Sequence, residues 1–140
     1  MLGAKSIVFV ETGKILPNEQ VYSERVNWLV DKIQSEGLWR VPVTLDKSSY
    51  AVMDGHHRLE AARRLKLPCV PCLLLDYSEV SFVSTHESLA ITPKMVGEYA
   101  KAGTLFPPKS TRHIFSNPLP TCNISLTIIK NTNDNGLHLS

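Results

Sequence analysis

One short segment, residues 50–65, constrains the fold more than any other part of the chain. Its first four residues (YAVM) form a short apolar run of β type, and an Asp-Gly pair follows at once. Leu59, Ala62 and Leu65 then recur at helical spacing, which predicts a buried helix face and a helix that ends before Pro68. The segment therefore predicts a strand, a tight glycine turn and a helix in direct succession.

The glycine of this turn is followed by His56, His57 and Arg58. Free backbone N–H groups at a helix start, the positive end of the helix dipole and a forked guanidinium all favour a bound phosphate. Gly55 lets the backbone come close to that phosphate. The turn is therefore predicted to bind nucleotide phosphates, and the structural alternative for Arg58 is an ordinary solvated arginine.

Asp54 adds a carboxylate to this cationic turn. A carboxylate repels a phosphate unless a cation or a proton lies between them, so Asp54 is predicted either to bind Mg²⁺ or to orient or deprotonate an attacking hydroxyl. A helix N-cap is the structural alternative. Adjacent His56 and His57 diverge by about 100° on a helix, so they are not expected to share a metal ion. Which of the two contacts phosphate stays open.

Hydrophobic periodicity elsewhere predicts an α+β fold, a single small domain with a mixed sheet and about three helices. One helix is expected at 23–36, with Ser23 as its cap and Gly37 at its end. Another begins at the Thr92-Pro93 pair and ends before Gly103. Strands are expected at 6–10, 41–45, 50–53, 70–75 and 124–129, and an extended loop at 107–113.

Composition is consistent with one packed domain, since the 140 residues are 43% hydrophobic and 20% charged. The domain is assigned to residues 1–130, and the Asn-rich residues 131–140 are expected to be a flexible tail. No apolar run approaches the roughly 20 residues that cross a bilayer, so no membrane partner is expected and the cytoplasm is the expected compartment. A net charge of +2 is too small to indicate a nucleic-acid partner by itself, so none is expected. Oligomeric state is left open.

Cysteine and tryptophan side chains are expected to pack rather than to react. Cys69 and Cys72 form a C-x-x-C pattern within an apolar run, whereas a zinc site needs further ligands and a thioredoxin-type pair needs a helix start. Together with Cys122 they are predicted to be plain core thiols. Trp28 and Trp39 are predicted to pack in the core or at its rim.

Three segments carry a family resemblance. Residues 54–58 (DGHHR) resemble the G-x-x-R phosphate loop of the ParB/sulfiredoxin superfamily. Residues 106–113 (FPPKSTRH) are similar to the segment that follows the ParB-like core in free L-serine kinases. Residues 15–20 (ILPNEQ) resemble the strand and acidic turn that place a catalytic glutamate in those kinases. The order of the three matches favours the free L-serine kinase branch of the superfamily.

The resemblance implies a ParB/sulfiredoxin-like enzyme that transfers a phosphoryl group from ATP or ADP to free L-serine, giving O-phospho-L-serine. It implies Glu19 as the general base for the serine hydroxyl, while the charge argument above adds Mg²⁺ as a cofactor and Asp54 as a second catalytic residue. A solvated turn is the structural alternative for Glu19. The segment after the two prolines is implied to bind the substrate or a phosphate, through Lys109, Thr111, Arg112 and His113.

Two other classes of protein use a related loop. A ParB-like nucleotide-binding module that binds DNA or regulates a partner would be expected to carry a helix-turn-helix, and no such pattern follows residue 75. A sulfiredoxin-like enzyme would carry a cysteine inside the loop, where this chain has His56 and His57. A nuclease lacks support because the sequence shows no metal-ligand cluster.

Overall fold

A mixed four-stranded sheet forms the centre of the protein. The structure is a computed structural model, and it describes residues 6–86 and 88–132. The strands are β1 (Val8–Glu11), β2 (Leu38–Trp39), β3 (Val43–Asp46), β4 (Val52–Asp54), β5 (Cys69–Leu75), β6 (Val80–Ser84), β7 (Thr111–Phe115) and β8 (Ile124–Ser125). The α-helices are α1 (Ser23–Glu36), α2 (His56–Arg64), α3 (Pro93–Ala102) and α4 (Leu126–Lys130).

The central sheet has the strand order β1-β5-β3-β4. β5 pairs antiparallel with β1 on one side and parallel with β3 on the other. β3 and β4 form an antiparallel hairpin, with an irregularity in the register between Thr44 and Leu45. This is the predicted α+β fold with a mixed sheet.

The predicted strand, glycine turn and helix are confirmed. β4 ends at Asp54, Gly55 adopts a positive φ of 110°, and α2 begins at His56. The buried face of α2 includes Leu59 and Ala62, as their spacing predicts. The turn therefore connects β4 of the central sheet to α2, and the buried face of α2 packs in the core.

Both of the other predicted helices are present. α1 ends at Gly37, which has a φ of 67°. The expected cap at Ser23 is wrong, because the N-cap residue is Tyr22 and no side chain caps this end. Thr92 does cap α3, since its hydroxyl accepts a hydrogen bond from the Met95 backbone N–H at 3.3 Å.

The main core lies between the central sheet and helices α1, α2 and α4. The C-x-x-C cysteines, Cys69 and Cys72, are fully buried in β5, which confirms them as core thiols, and Cys122 is half-buried beside this core. Trp39 is a core residue, whereas Trp28 is 54% exposed on the outer side of α1. A smaller cluster surrounds α3, formed by Ala51, Ile91, Val96, Ala100 and Phe106.

Two expectations about the C-terminal half are wrong. The loop predicted at 107–113 ends at Thr111, because β7 begins there and pairs antiparallel with β6. The strand predicted at 124–129 extends only over β8, and α4 follows it. Leu126 and Ile129 are both buried at helical spacing, and a short apolar run leaves strand and helix ambiguous. The described residues thus contain four α-helices rather than about three.

The predicted tail falls mostly outside the described residues. Its second residue, Thr132, is 5% exposed, and its hydroxyl donates a hydrogen bond to the Ile128 carbonyl at 2.9 Å. Among the helices of the described ranges, none has the length and hydropathy needed to cross a bilayer.

Candidate active site

A cavity of about 590 Å³ opens between the start of α2, the start of α1 and the segment that leads into β7. Residues from three distant parts of the chain line it. They include every candidate from the sequence: Glu19, Asp54, Gly55, His56, His57, Arg58, Lys109, Thr111, Arg112 and His113.

The turn before α2 accepts only glycine without strain. A Cβ atom on Gly55 would lie 2.9 Å from Arg58 Nη1 and 3.2 Å from Val43 Cγ2, and the positive φ disfavours other residues. Gly55 is also the N-cap residue, and no side chain caps the helix. The alternative of Asp54 as the cap is therefore wrong. The first-turn N–H groups of α2 lack a side-chain cap on the wall of the cavity, where helix starts favour anions.

Arg58 lies over this turn with its side chain 27% exposed. Its Nη1 atom is buried and has no hydrogen-bond partner among the described residues. Burial lowers the pKa of Arg58, and the nearby Asp54 carboxylate, 3.9 Å away, partly opposes that shift. A buried guanidinium nitrogen without a partner is expected to gain one from a bound anion.

Both histidines of the loop tie α2 to the segment before α1. His56 Nε2 accepts a hydrogen bond from the Asn18 backbone N–H at 3.1 Å, and His57 Nε2 accepts one from the Tyr22 backbone N–H at 3.0 Å. The proton of each neutral ring therefore lies on Nδ1. Burial lowers the pKa of His56 to about 3, so this ring is neutral at physiological pH.

Glu19 is the most deeply placed carboxylate of the cavity, with its side chain 12% exposed. Its Oε1 accepts hydrogen bonds from the backbone N–H groups of Ser110 at 3.0 Å and Thr111 at 3.3 Å, and from the Thr111 hydroxyl at 3.4 Å. Its Oε2 lies 4.0 Å from His56 Nδ1. Burial raises the pKa of Glu19, and the hydrogen bonds from Ser110 and Thr111 partly oppose that shift. A carboxylate with a raised pKa is suited to proton transfer near neutral pH.

Backbone hydrogen bonds join the residues on either side of Glu19 to Phe106, which directly precedes the two prolines. The Gln20 N–H donates to the Phe106 carbonyl at 2.8 Å, and the Phe106 N–H donates to the Asn18 carbonyl at 2.8 Å. Phe106 is 1% exposed and stacks on Tyr99 with ring centroids 3.8 Å apart. The second core cluster thus fixes the position of the acidic turn.

The segment before β7 reaches across the cavity toward α1. Lys109 has a φ of 56°, and its Nζ lies 6.0 Å from the centroid of the Tyr22 ring. Deeper in the cavity wall, His113 Nε2 lies 2.9 Å from the Tyr77 hydroxyl, and burial lowers the pKa of His113 to about 4. Arg112 is exposed and alternates with His113 along β7.

Sequence reasoning missed the contribution of α1. Arg25 and Leu29, one turn apart, line the cavity, as do Met53 and Thr85. The i, i+4 spacing places Arg25 and Leu29 on one helix face, but the sequence does not indicate that this face meets the phosphate loop.

No group of three or more His, Cys, Asp or Glu side chains suited to a metal ion occurs within residues 6–86 and 88–132. Asp54 is 46% exposed and lies at the phosphate loop. Mg²⁺ is commonly held by one or two carboxylates together with substrate phosphates and water. The donor set therefore fits a Mg²⁺ ion that arrives with a nucleotide.

A family model described as the ParB N-terminal domain matches residues 6–87, more than half of the chain. The chain belongs to this family. The match confirms the resemblance to the ParB/sulfiredoxin superfamily, and the cavity is accordingly a site built on a ParB N-terminal domain. Its phosphate-loop candidates and Glu19 lie inside the matched range, whereas Lys109, Thr111, Arg112 and His113 lie beyond it.

Two curated relatives of this ParB N-terminal domain chain are named as L-serine kinases. The ATP-dependent L-serine kinase of Staphylothermus marinus is 35% identical over 74 residues, which are 50% of this chain and 29% of the relative. The ADP-dependent L-serine kinase SerK of Thermococcus kodakarensis is 30% identical over 74 residues, which are 50% of this chain and 31% of the relative. The matched part thus spans less than a third of either relative.

A solved structure shows the same fold. A free serine kinase in complex with AMP superposes with a TM-score of 0.78, covering 88% of this chain and 93% of that one at 16% identity. The predicted ParB/sulfiredoxin-like α+β architecture is therefore confirmed at the level of the fold.

Proposed function

We propose that this chain is a free L-serine kinase, which transfers a phosphoryl group from ATP or ADP to L-serine and gives O-phospho-L-serine. The observation that carries the proposal is a single cavity with two chemically different walls. The uncapped start of α2 and Arg58 suit phosphates, and the largely buried Glu19 in the other wall suits a hydroxyl proton. The names of the two curated relatives support L-serine as the acceptor.

In this proposal the nucleotide phosphates bind at residues 55–58. The first-turn N–H groups of α2 donate hydrogen bonds to phosphate oxygens, and Arg58 supplies a fork for two more. His56 and His57 hold the 18–22 segment beside them through their Nε2 atoms. Gly55 keeps the turn open for a close approach of the phosphate.

Glu19 acts as the general base. The carboxylate accepts the serine hydroxyl proton as the serine oxygen forms a bond to the terminal phosphorus. The bond from that phosphorus to the bridging oxygen breaks, which releases ADP from ATP or AMP from ADP. The Ser110 and Thr111 hydrogen bonds hold the carboxylate in position before the substrate arrives.

Asp54 is the residue that would hold Mg²⁺ at the phosphates. The ion supplies neutralisation of phosphate charge when it is bound. The Asp54 carboxylate lies 3.9 Å from Arg58 and so also offsets part of the positive charge of the loop. We assign Asp54 to this charge balance, or to orientation of the hydroxyl, and Glu19 to the proton transfer.

The remaining wall binds the amino acid or the transferred phosphate. An L-serine carboxylate is an anion that a cationic segment with backbone and hydroxyl donors recognises well. We assign that contact to Lys109, Thr111, Arg112 and His113. We assign the catalytic domain to residues 1–130 and the reaction to the cytoplasm.

The test is a transfer assay with ATP or ADP, Mg²⁺ and free L-serine, in which O-phospho-L-serine is followed directly by phosphorus NMR. D-Serine, L-threonine and glycerol run in parallel as acceptors, and omission of Mg²⁺ tests the cofactor. Product from L-serine supports the proposal, and the more active nucleotide identifies the donor. Nucleotide binding without product from any acceptor would contradict it.

A second candidate function is a nucleotide-binding module that regulates DNA or a protein partner without transfer. The ParB N-terminal domain match is the observation that favours it. This candidate predicts that nucleotide binding changes the affinity for duplex DNA while O-phospho-L-serine stays absent.

A further inference from the structure

Arg25 is a cation of the cavity that the proposed mechanism does not use. It is exposed near the start of α1, and it lines the cavity together with Gly55 and Arg58. Among the described residues no carboxylate forms an ion pair with it, and its guanidinium carbon lies 5.9 Å from the centroid of the Trp28 ring. An arginine at a cavity wall without a carboxylate partner is available to an anionic ligand.

Three cations lie close enough to His57 to affect its charge. The pKa of His57 is lowered first by burial and then by the charges of Arg25, Lys109 and Arg58. Arg25 also helps to lower the pKa of Arg58. These like charges come from α1, from the segment before β7 and from α2, and all three side chains line the same cavity.

The proposed phosphate site at residues 55–58 uses only one of these cations. Arg58 and the uncapped first turn of α2 form the site for one phosphate, and Asp54 lies 3.9 Å from Arg58. Each phosphate beyond the first adds about one negative charge to a nucleotide. Arg25 lies on α1, outside this turn, and is therefore available to a phosphate further along the chain of phosphates.

We propose that Arg25 binds the phosphate chain beyond the first phosphate, and so makes the cavity select nucleoside di- and triphosphates over monophosphates. This inference rests on the proposed function, because it takes the bound anion to be a nucleotide. It assigns to α1 a role in distinguishing the phosphoryl donor from the monophosphate that an ADP-dependent reaction would leave behind.

Lys32 offers a matched control on the same helix. Its Nζ lies 5.4 Å from the Trp28 ring centroid, so it shares the aromatic contact of Arg25. It pairs with Glu36 at 3.3 Å and does not line the cavity. If Arg25→Ala acted only through the lost contact with Trp28, Lys32→Ala would weaken nucleotide binding in the same way.

The experiment measures the dissociation constants of AMP, ADP and ATP by calorimetry, without L-serine, for the wild type, Arg25→Ala, Arg25→Lys and Lys32→Ala. We expect Arg25→Ala to weaken ADP and ATP by about ten- to a hundredfold and AMP by less than about threefold, as the loss of a charged hydrogen bond to the outer phosphates predicts. Arg25→Lys should keep the charge and lose less. Lys32→Ala should leave all three nucleotides unchanged.

If Arg25→Ala weakened the binding of AMP, ADP and ATP equally, the inference would be overturned, because Arg25 would then contact the nucleoside or the first phosphate. Unchanged ADP affinity in that variant would overturn it too. Failure of the proposed function is distinguishable, since the wild type would then form no O-phospho-L-serine in the transfer assay, whereas this inference is decided by the nucleotide dissociation constants alone. Circular dichroism of each variant shows that α1 is retained, which the exposed position of Arg25 predicts.

Discussion

The two walls of the cavity are built in different ways. One wall consists of consecutive residues, from Asp54 to Arg58, at the junction of β4 and α2. The other joins Glu19 to Ser110 and Thr111, which lie far away in the sequence. The first wall obeys local rules of turn and helix geometry, whereas the second exists only after the chain has folded.

Because of this difference, substitutions in the two walls should have different effects. The phosphate loop depends on one backbone conformation, in which Gly55 has a φ of 110°. The acidic wall depends on hydrogen bonds between the 18–20 segment and Phe106, and on the three that Glu19 accepts. A change in the loop should therefore act mainly on nucleotide binding, and a change at Glu19 mainly on turnover.

The largest expected effect is on turnover in Glu19→Gln. Glutamine keeps an oxygen that can accept the Ser110 and Thr111 hydrogen bonds, but it does not take the hydroxyl proton. We expect kcat for serine phosphorylation to fall by about 10²–10⁴-fold, with nucleotide affinity nearly unchanged. Glu24→Gln, at an exposed position of α1, is the control. Full turnover in Glu19→Gln would remove this residue from the chemistry.

Arg58→Ala should weaken nucleotide binding at the α2 wall. The variant loses a guanidinium fork aimed at phosphate, so we expect the dissociation constant for ADP to rise by about ten- to a hundredfold. Arg64→Ala serves as the matched control, because Arg64 lies on the same helix, hydrogen-bonds Asn27 and does not line the cavity. If both variants bind ADP like the wild type, phosphate binding by the α2 wall is wrong.

Gly55→Ala should damage the loop through its backbone. A Cβ atom there would lie 2.9 Å from Arg58 Nη1, and the positive φ would strain alanine. We expect the free energy of unfolding to fall by about 1–3 kcal/mol, together with weaker ADP binding. Gly13→Ala, where nothing lies within 4 Å of the added carbon, should have a much smaller effect in the same denaturant titration. Equal stability of Gly55→Ala and the wild type would contradict the strain argument.

The smallest expected effect is the dependence of stability on pH. Burial lowers the native pKa of His56 to about 3 and of His113 to about 4, both below the ordinary value of 6.5. The unfolded state therefore binds more protons as the pH falls below 6.5, and stability should fall with it, by at most about 1.4 kcal/mol per pH unit for each histidine. The raised pKa of Glu19 acts in the opposite direction above pH 4.5. Urea titrations at pH 7 and pH 5.5 measure the slope. A slope of zero in both the wild type and Glu19→Gln, which lacks the opposing carboxylate, would contradict the neutral, buried histidines.

The sequence could predict those features that local patterns determine. The strand, turn and helix around Gly55 follow from period and turn chemistry, and the α3 cap at Thr92 follows from residue type. The candidate residues of the two walls were also identified from the sequence, through the loop chemistry and the family resemblance. The structure brings all of them to one cavity.

The features that the sequence did not predict depend on tertiary context. The short apolar run that ends in α4 has no period long enough to distinguish a strand from a helix. β7 finds its partner β6 only in the folded chain. Nothing in the sequence distinguishes Arg25, because an arginine on the polar face of a helix is ordinary. It comes to the phosphate loop only because α1 packs beside α2.

A crystal structure of the chain with ADP and L-serine tests the central claim most directly. The account predicts the phosphates within hydrogen-bonding distance of the first-turn N–H groups of α2 and of Arg58, with the serine hydroxyl directed toward Glu19. A nucleotide bound outside this cavity, or one whose phosphates lie away from residues 55–58, would contradict it.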